Sequence, residues 1–93
     1  QISINNLIDG LDRQDLLTKA QLMFGRYAGT VTEIAISFAI KESGLSGQEY
    51  IASLNIAFCN KPSLQISQSA DTPLQAFLSA SKRAKRAIDR QLL

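Results

Sequence analysis

The chain of 93 residues is long enough for a single domain over residues 1–93 and too short for two. Hydrophobic residues make up 45% of it, which is enough for one compact core, and no stretch has the length of a membrane span or the pattern of a signal peptide. There is no histidine, and a single cysteine excludes an intramolecular disulfide, which indicates a reducing, cytoplasmic compartment. No cluster has metal-ligand spacing, and we expect neither a cofactor nor membrane association.

The first third of the chain contains a strand pattern followed by a helix pattern. Residues 1–7 alternate apolar and polar side chains, which predicts a short strand. Residues 9–12, with two aspartates and a glycine, indicate a turn and a helix start. Apolar side chains at helical spacing then predict an amphipathic helix from about Asp12 to Ala28, with Gly29 as its C-terminal stop.

The remainder of the chain predicts more strands and a second helix. The period-two alternation of apolar residues predicts three strands, over residues 30–41, 49–59 and 63–69. Residues 42–48, rich in serine and glycine, predict a hairpin loop, and residues 60–62 predict the next turn. Asp71, Thr72 and Pro73 indicate the start of a helix that is predicted to run to the chain end.

The order β-α-β-β-β-α predicts an α+β fold. Each strand has one apolar face and one face of small or polar residues, so the four-stranded sheet should be covered on one side only. The two helices would cover that side in a two-layer sandwich. We expect the first two strands to be parallel, joined by a right-handed crossover, and the others antiparallel. The open sheet face lacks the aromatic and basic residues that stack bases, so we expect the binding site elsewhere.

Half of the basic residues are concentrated in the second helix. Within nine residues lie five of the ten, opposed by Asp89: Lys82, Arg83, Lys85, Arg86 and Arg90. The net charge is +2, so the rest of the chain is net negative, and this asymmetry suggests an anionic partner for the second helix. Another set of residues forms the predicted apolar side of this helix: Leu74, Phe77, Ala84, Ile88 and Leu92.

Three of these basic residues form a track along the helix. Arg83, Arg86 and Arg90 fall within about 60° of one another at 100° per residue, roughly opposite the apolar side. Lys82 flanks them, and we call these four residues the basic stripe; Lys85 lies nearer the apolar edge. Guanidinium groups spread over about 10 Å of helix suit a row of phosphates, which arginine can bind bidentately.

Spacing alone leaves a second interpretation of the basic stripe open. A charged run at helical spacing is commonly a solvated face, and basic residues near a helix C terminus also interact favourably with the helix dipole. The first helix adds Lys19 and Arg26, seven residues apart and predicted to share a face. Asp15 could pair with Lys19, which weakens that face as a binding site.

The other candidate residues are predicted to have structural roles. Cys59, at a strand end and without a histidine to activate it, is predicted to be a buried thiol. Tyr27 and Tyr50 could stack on bases, but packing in the core or at its rim is favoured. Gly25 is predicted to allow close packing or a helix bend. Because nucleophile, base and metal set are all missing, no enzyme activity is expected.

The stretch from Leu64 to Leu92, LQISQSADTPLQAFLSASKRAKRAIDRQL, resembles part of a known family. It looks like the last strand, the small-residue turn and the long helix of the ribosome hibernation promoting factor and ribosome-associated inhibitor family. The family's basic-x-x-basic-x-x-x-basic pattern falls on Arg83, Arg86 and Arg90. Tyr27, followed by Ala28 and Gly29, looks like the end of the family's first helix. With element order and lengths, the resemblance covers nearly all of the chain, as a short form or an N-terminal domain.

The resemblance implies both a fold and a function. The fold would be similar to a double-stranded-RNA-binding domain with an added strand. The protein, a monomer when free, would bind the small ribosomal subunit in the channel used by mRNA and tRNA, and so block translation in stress or stationary phase. It would have no small-molecule substrate. Its contacts to ribosomal RNA phosphates would come from Arg83, Arg86, Arg90, Lys82, Lys85, Lys19 and Arg26.

Two alternatives stay open. One is a generic double-stranded-RNA-binding module that reads the shape of successive minor grooves. The other is a protein–protein adaptor that uses an exposed sheet edge or the open sheet face.

Overall fold

A computed structural model of the protein describes residues 1–8, 10–42, 44 and 47–91. Parts of three predicted features lie outside these residues: Asp9 of the first turn, Ser43 and Ser46 of the hairpin loop, and Leu92 of the second helix. In the predicted hairpin loop, Gly44 and Gly47 have positive φ angles of 61° and 93°, which favour glycine.

The described residues form four strands and two α-helices in the predicted order. The strands are β1 (Ile2–Asn5), β2 (Val31–Glu42), β3 (Gln48–Phe58) and β4 (Leu64–Ala70), and the α-helices are α1 (Arg13–Phe24) and α2 (Pro73–Gln91). The bounds of the three longer strands each lie one residue from the predicted ones. Side-chain caps explain where the helices begin. Asp12 accepts from the backbone N–H of Gln14 at 3.3 Å, and Thr72 accepts from that of Gln75 at 3.2 Å.

The first helix ends earlier than predicted. Gly25–Tyr27 form a 3₁₀ helix directly after α1, so the prediction of one α-helix to Ala28 is wrong. Glycine has a low helix propensity, which explains why the α-helix ends at this residue. A Cβ added at Gly25 would meet no atom within 4 Å, so close packing is not the reason for a glycine there. Arg26 therefore lies in the 3₁₀ helix, beyond the α-helix on which Lys19 is located.

The strands form one sheet in the order β1-β2-β3-β4. β1 is parallel to β2, and the other two pairs are antiparallel, as predicted. β2 has an irregularity in register between Val31 and Glu33. Such a bulge adds a residue to one strand, so Val31 and Ile34 are both buried although they are three residues apart.

Both helices cover the same face of the sheet, as predicted. The core contains alternate residues of the strands, among them Ile36, Leu54 and Ile56, each 0% exposed. The described part of α2 buries six side chains against them: Ala76, Phe77, Ala80, Ser81, Ala84 and Ile88. The opposite face of the sheet carries small and polar side chains, and the Ser53 and Ser67 hydroxyls there lie 2.9 Å apart.

Two predicted burial assignments are wrong. Leu74 is 38% exposed, because the buried side of α2 extends over Ala76 and Ala80 and leaves Leu74 at its margin. Cys59 is exposed, since β3 ends at Phe58 and the chain then turns at Asn60, whose φ is 68°. Tyr27, by contrast, is 4% exposed and belongs to the core, and Tyr50 packs partly buried against it, as predicted.

Candidate nucleic-acid interface

The basic stripe lies on the solvent side of a well-anchored helix. Lys82, Arg83, Arg86 and Arg90 are all exposed, whereas Lys85 is half-buried. At the C-terminal end of α2, the Lys61 ammonium donates to the carbonyl of Gln91. A cation at this end is favoured by the helix dipole and satisfies a carbonyl that has no partner within the helix.

The four side chains of the basic stripe line a single open groove of about 580 Å³ between α2 and β4. Its remaining walls are Ile66 and Gln68 from β4 and Ser79 and Ala87 from α2. The Ser79 hydroxyl lies 3.4 Å from Oε1 of Gln68, across the end of the groove. The described residues that line the groove include no acidic side chain, so they form a concave surface of one sign of charge.

Lys85 does not line this groove, in agreement with its predicted position nearer the apolar edge of the helix. Among the residues that the structure describes, the arginines of the basic stripe also have no ionic partner. Of the ion pairs formed between described residues, none includes Arg83, Arg86 or Arg90. Their charges are therefore available to an external anion.

Asp89, the acidic residue within the basic stretch, is turned toward the end of the first helix. Its carboxylate accepts hydrogen bonds from the Tyr27 hydroxyl at 2.8 Å and from Nη2 of Arg26 at 3.1 Å. The same nitrogen of Arg26 also donates to the Tyr27 hydroxyl at 2.6 Å. The sequence predicts Asp89 as an opponent of the stripe, but in the structure its ion-pair partner is Arg26.

The Tyr27–Arg26–Asp89 cluster shifts two ionisation equilibria. Burial raises the pKa of the Tyr27 phenol; the hydrogen bond from Arg26 opposes this shift, and the bond to Asp89 adds to it. The pKa of the Arg26 guanidinium is also raised, first by its hydrogen bond to Tyr27 and its electrostatic interaction with that phenol, and then by the charge of Asp89. Arg26 therefore remains charged, but its charge is compensated.

The charge of Lys19, the other predicted contact residue of the first helix, is also compensated by an acidic neighbour. Nζ of Lys19 lies 2.7 Å from Oδ2 of Asp15, the pairing that the sequence suggests. Neither Lys19 nor Arg26 lines the groove. The structure thus brings together Lys82, Arg83, Arg86 and Arg90, and leaves Lys85, Lys19 and Arg26 outside that group.

The sequence gives no direct indication of the residues that complete the groove. Ile66 and Gln68 are recognisable as helix-facing positions of β4, and Ser79 lies four residues before Arg83 on α2. What the sequence lacks is the information that α2 packs over β3 and β4. In the described residues there is also no acidic or cysteine cluster that could hold a metal ion, and no helix is long and apolar enough to cross a membrane.

The protein is an α+β domain. Two helices cover one face of its mixed four-stranded sheet, and a basic groove lies between α2 and β4. No protein-family model and no curated protein sequence matches the chain. Among solved structures, the fold is similar to that of a ribosomal subunit interface protein from Coxiella burnetii. The TM-score is 0.71 at 12% sequence identity, over 98% of this chain and 93% of that one.

A second solved structure with this fold is the N-terminal domain of Protein Y from Thermus thermophilus. The TM-score is 0.63 at 15% identity, and the match covers 96% of this chain and 92% of that one. At the level of the fold, these likenesses confirm the resemblance to the hibernation promoting factor family that the sequence indicates.

Proposed function

We propose that this protein is a ribosome-associated translation inhibitor that binds ribosomal RNA of the small subunit through its basic stripe. The observation that carries the proposal is the placement of four exposed cations along one groove, without an acidic partner among the described residues. The likeness in fold to a ribosomal subunit interface protein supports the ribosome as the partner. The site of action would then be the cytoplasm.

The binding mechanism would be electrostatic and steric. Arg83 and Arg90 are seven residues apart, about 10 Å along the helix axis, so the basic stripe can contact more than one phosphate of an RNA backbone. Each guanidinium can bind phosphate oxygens bidentately, and each contact releases condensed counterions. The bound domain would occupy the channel that mRNA and tRNA need, and inhibition would require no catalytic step. Lys85, Lys19 and Arg26 would make at most secondary contacts.

Co-sedimentation with purified small ribosomal subunits, at low and at high salt, tests this proposal. The triple variant Arg83→Ala, Arg86→Ala, Arg90→Ala should lose co-sedimentation at physiological salt and keep its fold, because all three side chains are exposed. Co-sedimentation of the triple variant at the wild-type level would overturn the proposal.

Single substitutions provide a comparison that is matched in charge. Arg86→Ala and Lys41→Ala each remove one positive charge, but Lys41 lies at the end of β2, away from the groove. We expect only Arg86→Ala to weaken binding. Equal weakening by both would indicate that net charge, rather than the basic stripe, determines binding.

Competition separates a channel-bound inhibitor from a generic RNA-binding module. A double-stranded RNA in excess should leave the protein on the small subunit, whereas an mRNA and tRNA complex should displace it. Displacement by duplex RNA alone would favour recognition of minor-groove shape.

A further inference from the structure

We propose that the groove beside β4 also binds an extended acidic peptide, which adds to the sheet as a strand next to β4. In the described sheet β4 is an outer strand, paired with β3 on one side. The backbone groups on its other side can pair with an added chain, a mode of recognition known as β-augmentation. This inference concerns a second ligand and does not depend on ribosome binding.

The outer edge of β4 lacks the usual protection against such pairing. Exposed edges are commonly blocked by proline, by charged side chains, by bulges or by shortness. Leu64–Ala70 contains no proline and no charged residue, and its register with β3 is continuous over seven residues. The opposite edge of the sheet is different, because β1 has only four residues, Ile2–Asn5. β4 is therefore the edge that is open to an added strand.

The basic stripe determines what kind of strand this edge would accept. It lines the groove together with Ile66 and Gln68, which are helix-facing residues of β4. A strand added beside β4 would point every second side chain to the helix side of the sheet, toward the stripe. Since the described lining of the groove contains four cations and no acid, the complementary side chains are carboxylates.

The spacing of the arginines agrees with the repeat of a strand. Side chains on one face of a strand recur about every 6.7 Å. Arg86 and Arg90 are four residues apart, which corresponds to about 6 Å along the axis of α2. On the other face of the added strand, the neighbours would be Ser67 and Ser69, so small polar side chains fit there. The preferred peptide therefore alternates acidic and small polar residues.

A blocked heptapeptide of alternating threonine and glutamate tests the inference, with binding measured by fluorescence anisotropy. Two N-methylated forms serve as matched probes, because the N–H groups of successive residues point to opposite edges of a strand. Methyl groups on the glutamate nitrogens block one edge, and methyl groups on the threonine nitrogens block the other. Pairing with β4 predicts that one form binds like the parent and the other binds at least about tenfold more weakly.

Two further measurements locate the peptide. Binding should weaken at least about tenfold in the Arg83→Ala, Arg86→Ala, Arg90→Ala variant and stay within about twofold in Lys41→Ala. Amide hydrogens of β4 should exchange more slowly in the complex, whereas those of β1 should be unaffected. Equal binding of the two methylated forms would overturn the inference, because attraction between charges alone does not depend on the blocked edge.

The peptide inference would also be overturned if single-stranded RNA bound at the groove and the alternating peptide did not. Ribosome co-sedimentation is a separate measurement, so the failure of either proposal is distinguishable from failure of the other. Because both proposals use the same three arginines, saturating peptide should release the protein from the small subunit, and unchanged co-sedimentation with the peptide bound would contradict ribosomal RNA contact through the basic stripe.

Discussion

The Tyr27 hydroxyl donates a hydrogen bond of 2.8 Å to Asp89 and thereby joins the 3₁₀ turn after α1 to the C-terminal part of α2. The Tyr27 ring is buried in the core, and Nη2 of Arg26 donates both to its hydroxyl and to Asp89. This contact has two consequences. It stabilises the packing of the two helices, and it keeps the carboxylate of Asp89 occupied with a partner other than the basic stripe.

Replacement of Tyr27 by phenylalanine should lower the free energy of unfolding by about 1.5 kcal/mol, because a hydrogen bond to a charged group is lost. Urea denaturation measures this difference. Tyr50→Phe is the matched control, since the Tyr50 hydroxyl donates to the neutral side chain of Gln48 in an exposed position. If Tyr50→Phe lowered the free energy of unfolding as much as Tyr27→Phe, the proposed stabilisation by the Tyr27–Asp89 hydrogen bond would be contradicted.

Alkaline pH should reduce the difference in free energy of unfolding between the wild-type protein and Tyr27→Phe. The pKa of Tyr27 is raised in the folded state by burial, so the folded protein holds the phenolic proton more tightly than the unfolded chain. The stabilisation is complete below the unfolded pKa of about 10 and is lost as the pH rises through the folded value. Urea denaturation of both proteins at about pH 8 and about pH 10.5 should therefore show a shrinking difference. A difference in free energy of unfolding that is the same at both pH values would contradict a raised pKa of Tyr27 in the folded state.

Ser81→Ala should stabilise the protein. Ser81 is 0% exposed, and among the described residues its hydroxyl has no hydrogen-bond partner. Removing a buried polar group without a partner should raise the free energy of unfolding by about 1 kcal/mol, in addition to a small gain in helix propensity. Ser79→Ala, at an exposed position of the same helix, has the same propensity gain but also loses the 3.4 Å contact to Oε1 of Gln68, so its midpoint should rise less. Thermal denaturation of the two variants would contradict the prediction if their midpoints rose equally.

The salt dependence of RNA binding should identify which cations contact phosphates. Arg86→Ala should reduce the slope of log affinity against log salt concentration by about one unit, because one phosphate contact is removed. Lys41→Ala should leave the slope unchanged. Titrations with a fluorescent fragment of small-subunit RNA at several salt concentrations provide the slopes, and a change of the same size in both variants would argue against localised contacts.

Local sequence patterns predict most of the fold. The alternation in β2, β3 and β4 fixes their bounds to within one residue, because strand burial has a period of two and one sheet face is covered. The pattern fails at Gly25, where the apolar spacing continues to Tyr27 although the α-helix has ended. Apolar periodicity reports which side chains are buried, and it does not distinguish an α-helix from the 3₁₀ turn that follows it.

The candidate site is predictable only in part. Helical spacing places Arg83, Arg86 and Arg90 on one side of α2, and the structure agrees. The pairing of Arg26 with Asp89 joins residues that are 63 positions apart in the sequence, so it depends on how the helices pack. The same is true of Gln68, which enters the groove because α2 crosses over β3 and β4.

The depth of the groove depends on three methyl groups. Ala76, Ala80 and Ala84 recur every four residues on α2, and each is 0% exposed against the sheet. Side chains of this size let the helix backbone lie close to the strands. Leucine or phenylalanine at these positions would increase the distance between helix and sheet. The arginines are carried by that same backbone, so their distance from the outer edge of β4 is determined on the opposite side of the helix. Alanine at these core positions is therefore a determinant of ligand geometry, even though no ligand would touch it.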